Sequence, residues 1–285
     1  MAPAVHKTVK DLRAGLAPWR MARESVALVP TMGALHPGHI SLVELAKTRA
    51  RRVVVTIFVN PTQFAPNEDF SRYPRDFERD LAMLAAAGVD AVFHPDAAEM
   101  YPPGFSTTIS LAGPAAAGLE DRFRPTHFQG VATVVAKLLI QAAPDVAVFG
   151  EKDYQQLAVI RQMARDLDLP VEIVGAPTLR EPDGLAMSSR NVYLDERRRK
   201  FAPNMQIALQ WAAERIRDGE PIAIAVNEAA ASISASGYVI DYIEARDAVT
   251  LAPVEEGRRD GLRLLFAGRM GTTRLIDNIP VPVKG

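Results

Sequence analysis

The sequence has no cysteine among its 285 residues. Disulfides, thiolate metal sites and cysteine nucleophiles are therefore excluded, which fits a reducing compartment. It also lacks an excess of either charge, with 33 Lys and Arg against 34 Asp and Glu, so the composition gives no sign of a nucleic-acid partner. No apolar run reaches the roughly 18 residues of a membrane span, and the first residues lack a signal-peptide pattern. We expect a soluble, cytoplasmic protein that binds neither nucleic acid nor membrane.

The first 175 or so residues alternate between two kinds of segment. Short β-branched runs at 26–29, 53–59, 91–93, 146–149 and 171–174 are nearly all apolar, as in parallel strands buried on both faces. Helical periodicity fills the intervals at 39–49, 77–87, 131–142 and 154–167. Strand and helix in alternation predict an α/β fold, a Rossmann-like open parallel sheet with helices on both faces.

The pattern changes after Pro177. A turn cluster at 181–184 precedes a long charged helix predicted at 195–217 and a second helix at 221–236. Strand-like runs at 238–245 and 262–267 follow with no helix between them. We therefore expect two domains, residues 1–178 and a smaller α+β domain with an antiparallel sheet at 179–285.

The first predicted strand is followed by a segment, 30–39, that contains His36, Gly38 and His39. Ligands of open parallel sheets bind beyond the carboxyl ends of the strands, beside helix N-termini. A Walker loop is excluded because His39 and Ile40 stand where Lys and Ser or Thr belong, and no Gly-x-Gly-x-x-Gly occurs. Taken alone, the segment is also compatible with a plain Pro-Gly turn whose histidines cap a helix.

Other strand ends and one later loop carry further candidates. Asn60 and Gln63 offer neutral amides, or else form an Asn-Pro turn. Lys152 at a helix start favours a bound anion, with Gln156 one turn later, although a solvated charge cluster is equally compatible. In the loop 187–191, two hydroxyls and a guanidinium (Ser188, Ser189 and Arg190) supply donors for phosphate oxygens; an ordinary loop is the alternative. Arg122, Arg124 and His127 form a basic loop that approaches the substrate or is simply solvated.

Together, His-x-Gly-His after the first predicted strand and Met-Ser-Ser-Arg after the last form a pair of motifs. With them the chain resembles the pantothenate synthetase (pantoate–β-alanine ligase) family of the HxGH nucleotidyltransferase superfamily. The resemblance covers essentially the whole chain and rests on the segments 30–39, 58–64, 66–70, 127–130, 150–156, 187–191 and 274–278.

The resemblance implies an ATP-dependent condensation of pantoate with β-alanine through a pantoyl adenylate, with release of pyrophosphate and AMP. It implies catalytic roles for His36, His39, Lys152, Ser188, Ser189 and Arg190, and His39 is the expected proton donor. Gln63 and Gln156 would hold pantoate, and Gln63 also β-alanine. The implied ATP-binding residues are Met32, Gly33, Ala34, Leu35, His36, Pro37, Gly38, His39, Gly150, Glu151, Lys152, Asp153, Leu179, Met187, Ser188, Ser189 and Arg190.

It further implies magnesium carried on the ATP phosphates without a named protein ligand, a homodimer, and a C-terminal domain that acts as a lid. Three alternatives are a transferase that modifies a phosphate ester, an aminoacyl-tRNA synthetase, and a nucleotide sensor without turnover. Glutamines in place of further cations disfavour the first, and the absence of an anticodon-binding domain disfavours the second. Intact His36, His39, Lys152 and Arg190 disfavour the third.

Overall fold

A computed structural model describes residues 2–65 and 68–283 of the chain. Pro66 and Asn67, which belong to one of the segments that carry the resemblance, lie outside the described residues. Among the residues described, no helix combines the length and hydropathy that a membrane span requires.

A parallel sheet forms the larger part of the fold. Its strands, in chain order, are β1 (Ala4–His6), β2 (Val26–Thr31), β3 (Arg52–Ile57), β4 (Ala91–Phe93), β5 (Val146–Gly150) and β6 (Glu172–Ala176). They lie in the order β1-β4-β3-β2-β5-β6, and every adjacent pair is parallel. The predicted open parallel sheet is confirmed, although the three-residue β1 was too short to predict.

Helices cover both faces of this sheet. They are α1 (Val9–Met21), α2 (Pro37–Arg49), α3 (Phe77–Ala86), α4 (Ala97–Met100), α5 (Glu120–Phe123), α6 (His127–Ala142) and α7 (Tyr154–Asp166). Successive strand residues face opposite sides, so Leu28 packs in one core with α1, α6 and α7, and Val29 packs in another with α2 and α3. Helix α1 was not predicted, because it contains Pro18 and buries only Leu12 and Leu16.

The remaining residues form a smaller antiparallel sheet with its own helices. The helices are α8 (Glu196–Phe201), α9 (Asn204–Arg217) and α10 (Ile222–Ala235), and the strands are β7 (Tyr238–Asp247), β8 (Leu262–Met270) and β9 (Thr273–Pro280), in the order β7-β8-β9. One face packs on α9 and α10. The other packs near Leu119 and α7, so this sheet lies directly against the parallel-sheet unit.

Two predictions in this region need correction. The single helix at 195–217 is wrong, because the chain forms α8 and α9 with a break before Asn204. Pro203 has no N–H for the bond to the fourth residue before it, so one continuous helix is disfavoured there. Strand β9 was also missed, since its charged Arg274 and Asp277 interrupt the apolar pattern that marked β7 and β8.

Candidate active site

A cavity of about 230 Å³ lies beyond the carboxyl ends of β2, β3 and β5. It gathers residues that follow three different strands, together with the hairpin that follows β6. Of the site residues predicted from sequence, those that line it are Met32, His36, Gly38, His39, Gln63, Gly150, Lys152, Asp153, Gln156, Leu179, Met187, Ser188, Ser189 and Arg190. The predicted residues that follow β2, β3 and β5 and those of the segment after β6 therefore lie in the same cavity.

Five residues predicted at the nucleotide, Gly33, Ala34, Leu35, Pro37 and Glu151, do not line this cavity. The first three form the turn between β2 and α2, in which Gly33 has φ +79° and Ala34 φ +51°. The buried carboxylate of Asp80 on α3 accepts from the Leu35 N–H at 2.8 Å and so braces this turn. Sequence reasoning missed Asp80, whose signal is an acidic residue one helical turn before the buried Leu84.

His36 and His39 are held by the start of α2 itself. The His36 Nδ1 accepts from the Gly38 N–H at 3.1 Å, and the His39 Nδ1 accepts from the His36 N–H at 3.3 Å, which is a reciprocal capping box. A Cβ on Gly38 would come within 2.8 Å of the His36 ring, so only glycine permits this placement. The two ring centroids are 4.1 Å apart.

The electrostatics of the pair make both rings neutral donors. Burial, helped by the positive charge of Lys152, lowers the pKa of His36 to about 4. Burial, together with His36 and Lys152, lowers the pKa of His39 to about 3. Since each Nδ1 accepts a hydrogen bond, the single proton of each neutral ring resides on Nε2. The start of α2 thus presents two Nε2–H donors without a net charge.

Lys152 occupies a 3₁₀ turn, Glu151–Asp153, between β5 and α7. Within residues 2–65 and 68–283, no hydrogen bond or ion pair engages its ammonium group, although the side chain lines the cavity. A half-buried cation without a protein counterion, next to two neutral donors, is suited to an anionic ligand.

Arg190 differs because its charge is already shared. It pairs with Asp69 through two hydrogen bonds, Nε to Oδ2 at 3.0 Å and Nη2 to Oδ1 at 2.9 Å. Burial alone would raise the pKa of Asp69, but the Arg190 guanidinium overrides this and lowers it. Ser189 lies 3.2 Å from the Tyr73 hydroxyl, and Ser188 caps the 3₁₀ turn Ser189–Tyr193. Sequence reasoning used Asp69 only as part of a motif and did not assign it to the site.

Three amide side chains, those of Asn60, Gln63 and Gln156, also line this cavity. Asn60 is buried and donates to the Gln63 Oε1 at 3.1 Å, while the Gln63 Nε2 lies 2.9 Å from the Met32 sulfur. No hydrogen bond to a described residue engages the Gln156 side chain, which also lines the cavity.

The prediction that Arg122, Arg124 and His127 share one loop is wrong, because Arg122 lies in α5 and His127 begins α6, so that only Arg124 lies between the helices. Two of the three residues nevertheless reach the cavity. Arg124 forms a two-point ion pair with Glu68, and its Nη2 donates to the Gln63 carbonyl at 3.2 Å. His127 contacts the same carbonyl at 3.0 Å, and burial lowers its pKa to about 4. Both therefore line the cavity and support Gln63, whereas Arg122 is exposed beside the Phe123 ring.

A second cavity of about 400 Å³ continues the first toward the antiparallel sheet. Residues of β8 and β9 form its far wall. The residues shared by both cavities are Arg124, His127, Lys152, Asp153, Gln156, Ser188 and Arg190. The site is thus an extended cleft between the two sheets, with cations at the junction.

The fold and the cleft define a class: an α/β protein in which cationic and neutral donor side chains gather at the carboxyl edge of a parallel sheet, next to a smaller antiparallel unit. The family model of pantoate-beta-alanine ligase matches residues 4–280. The chain belongs to the pantoate–β-alanine ligase family.

Individual relatives agree over nearly their whole length. The chain is 59% identical over 281 residues to "Pantothenate synthetase 2" of Bradyrhizobium diazoefficiens, covering 98% of this chain and 99% of the relative. The crystal structure of pantothenate synthetase from Thermus thermophilus superposes with a TM-score of 0.92 at 49% identity, covering 98% of this chain and 99% of that one. A pantoate-beta-alanine ligase from Francisella tularensis, complexed with beta-gamma ATP and beta-alanine, has a TM-score of 0.82 at 34% identity over 98% of each chain.

Proposed function

We propose that the protein condenses pantoate with β-alanine at the expense of ATP. A carboxylate oxygen of pantoate attacks the α-phosphorus, the bond from that phosphorus to the bridging oxygen breaks, and pyrophosphate leaves. The β-alanine amine then attacks the acyl carbon of the pantoyl adenylate, loses a proton, and AMP leaves. The observation that carries this proposal is the first cavity, where two neutral histidine donors lie together with a lysine that has no counterion among the described residues.

The histidines would stabilise charge by hydrogen bonding. In-line phosphoryl transfer needs positioning and charge stabilisation more than covalent help. With a pKa of about 3, His39 carries no acidic proton at neutral pH, because only the imidazolium form is an acid in this range. The role we propose is donation of a hydrogen bond from Nε2–H as charge moves to the leaving pyrophosphate, in place of the proton transfer that the resemblance implied.

Lys152 and the Ser188–Arg190 segment would hold the phosphates. Lys152 supplies a point charge, and the hydroxyls of Ser188 and Ser189 supply neutral donors. The Arg190 Nη1 is free of Asp69, which uses only Nε and Nη2. Arg190 therefore keeps donors for a phosphate while its orientation is fixed by the carboxylate.

Gln63 and Gln156 would bind pantoate, and Gln63 the incoming amine. Because Asn60 donates to the Gln63 Oε1, the Gln63 amide group has a defined orientation with its N–H₂ directed away from Asn60. Neutral amides recognise hydroxyl and carboxylate groups without the strong ground-state pairing that a lysine would give. A carboxylate held in this way stays nucleophilic.

Magnesium would reach the site on the ATP phosphates. Across the described parts of the chain, no group of three or more His, Asp or Glu side chains is arranged to hold a metal ion, and Mg²⁺ commonly binds through substrate phosphates. We extend the proposal to a cytoplasmic homodimer and to a division near residue 178. The second unit would act as a lid, and in its support the hairpin with the Arg180–Ala186 bridge directly follows this point.

The proposal is tested by product formation with purified protein. We expect AMP to accumulate only when ATP, pantoate and β-alanine are all present, and pyrophosphate to form with ATP and pantoate alone. AMP or pyrophosphate formation that ignores pantoate would contradict the proposal. A nucleotide sensor would bind ATP and produce neither.

A further inference from the structure

Two neighbouring residues of β9, Asp277 and Asn278, contact two different segments of the candidate site. The Asn278 Nδ2 donates to the carbonyl oxygens of Glu151 at 3.0 Å and of Lys152 at 2.8 Å. Both β9 side chains are almost fully buried, with relative exposures of 2% for Asp277 and 3% for Asn278. A residue of the antiparallel sheet thus holds the main chain of the turn that carries Lys152.

The Asn278 amide cannot rotate without loss. Its Oδ1 accepts from the Arg263 Nε at 2.6 Å, and Arg263 also pairs with Glu151 at 3.2 Å. The Arg263 guanidinium lies 3.7 Å from the centre of the Tyr154 ring. Because a cation donor fixes the amide oxygen, the amide nitrogen must face the two carbonyls of the turn.

Asp277 acts on the other segment. Its carboxylate accepts from both terminal nitrogens of Arg180, at 2.6 and 3.0 Å, and from the Asn278 N–H at 2.8 Å. Arg180 Nη1 also donates to the Gly184 carbonyl at 3.0 Å, inside the hairpin that leads to Arg190. The neighbouring position of the same strand therefore holds the base of the Ser188–Arg190 segment.

We propose that Asp277 and Asn278 are positioning residues that set the distance between Lys152 and the Ser188–Arg190 segment. A 3₁₀ turn of three residues has poor hydrogen-bond geometry of its own, so the Lys152 turn depends on contacts from elsewhere. Neighbouring positions on one strand hold the Lys152 turn and the base of the Ser188–Arg190 segment, and so keep the two cations at a distance that one polyphosphate can span. This inference rests on the proposed function, in which Lys152 and Arg190 bind the ATP phosphates.

The test is a double-mutant cycle on ATP affinity, measured by titration calorimetry with the full chain. We expect Asn278→Ala to weaken ATP binding about tenfold when Lys152 is present. In a Lys152→Met background the same change should add less than twofold, because there is no ammonium group left to position. A purely structural role of Asn278 would give the same factor in both backgrounds, and that result overturns the inference.

Controls separate this failure from others. Asn204→Ala removes an amide that donates to the Ser236 hydroxyl at 2.9 Å within the second unit, and we expect unchanged ATP affinity. If Asn278→Ala does not fold by circular dichroism, Asn278→Ser, which also removes the amide donors, carries the same cycle. If Lys152→Met alone leaves ATP affinity unchanged, the proposed role of Lys152 fails, and this inference fails with it.

The Asp277 contact is tested in the same way. Asp277→Asn keeps the size of the side chain but removes the charge that holds Arg180. We expect ATP affinity to fall severalfold in the presence of Arg190 and to change less than twofold in an Arg190→Met background. Equal losses in the two backgrounds would limit the positioning role to Asn278 and overturn the shared brace.

Discussion

The start of α2 and the Ser188–Arg190 segment, both proposed to contact the phosphate groups during the reaction, are held in place in different ways. The start of α2 is held by its own backbone, since each histidine ring accepts from an N–H within two or three residues. The Ser188–Arg190 segment is held by distant groups: Asp69 and Tyr73 from the parallel-sheet unit bind it directly. One segment is therefore fixed locally, and the other depends on polar partners far along the chain, of which Asp69 is charged.

This difference separates two functions. Neutral rings in a fixed capping box need no counterion and no rearrangement, which suits stabilisation of charge that develops during the reaction. A guanidinium that is paired with a carboxylate can retain, release or share that partner when a phosphate arrives. We therefore expect changes at α2 to act mainly on the rate, and changes at the hairpin to act on nucleotide retention and on movement.

The largest effect is expected at the fixed segment. His39→Ala should lower the rate of pyrophosphate release in the presence of pantoate by a factor of about 10²–10³, the usual cost of one lost donor of this kind. The melting temperature should fall by only a few degrees, because the change removes one hydrogen bond of the capping box and leaves no buried charge unpaired.

His94→Ala serves as the matched control. His94 bonds to the Ile57 carbonyl at 2.8 Å and stacks on Phe77, and it lines neither cavity described above. We expect it to keep nearly full activity. Pyrophosphate release at a near-normal rate in His39→Ala would remove this histidine from the mechanism.

A second comparison separates the two substrates. Gln63→Ala and Gln156→Ala should each weaken pantoate binding about tenfold or more, by loss of hydrogen bonds to a charged group worth about 1.5–3 kcal/mol. ATP affinity should change little, because the groups proposed to bind the phosphates are Lys152 and the Ser188–Arg190 segment. Separate calorimetric titrations of ATP and pantoate measure both.

Gln162→Ala controls for loss of a glutamine on the same helix, since Gln162 bonds to Asp166 on the surface of α7. It should bind both substrates normally. If the Gln63 or Gln156 variant lost ATP binding but kept pantoate binding, our placement of the pantoate site would be wrong.

The neutral histidines also make a prediction about stability and pH. Burial lowers the pKa of His39 to about 3 in the folded protein, against about 6.5 in the unfolded chain. Between these values the unfolded chain binds a proton that the folded protein does not, so stability falls as the pH drops. Urea unfolding at pH 6 and at pH 5 measures this loss. Between these two pH values, the free energy of unfolding should fall by about 1 kcal/mol less in His39→Ala than in the unmodified protein. Identical falls in both proteins would mean that His39 is not kept neutral by folding.

The contrast between local and distant contacts also separates what could be predicted from the sequence from what could not. His36, His39, Gln63 and Lys152 follow strands directly, and parallel strand ends meet at one edge, so their convergence could be predicted. Apolar periodicity predicted most strands and helices for the same local reason.

The residues that were missed act across long sequence separations. Asp69 is 121 positions from Arg190, and Asn278 is 126 positions from Lys152. Their polar side chains look like ordinary surface residues in the sequence, because their partners become neighbours only after the two sheets pack together. The break before Asn204 has a local cause instead, because Pro203 disfavours a continuous helix and is present in the sequence.

The smallest effect concerns movement of the hairpin. Adding a non-hydrolysable ATP analogue should slow amide hydrogen exchange across residues 183–191 severalfold, because Arg190 and the serines gain a ligand that ties this segment to the Lys152 turn. Exchange across residues 32–39 should change less, since those amides are already held by local acceptors and by Asp80. In Arg190→Lys the slowing should shrink, because an ammonium group keeps the charge but cannot bind Asp69 and a phosphate with a rigid fork of donors. Equal slowing in both segments would mean that the two are equally fixed, and the contrast between local and distant support would then have no dynamic consequence.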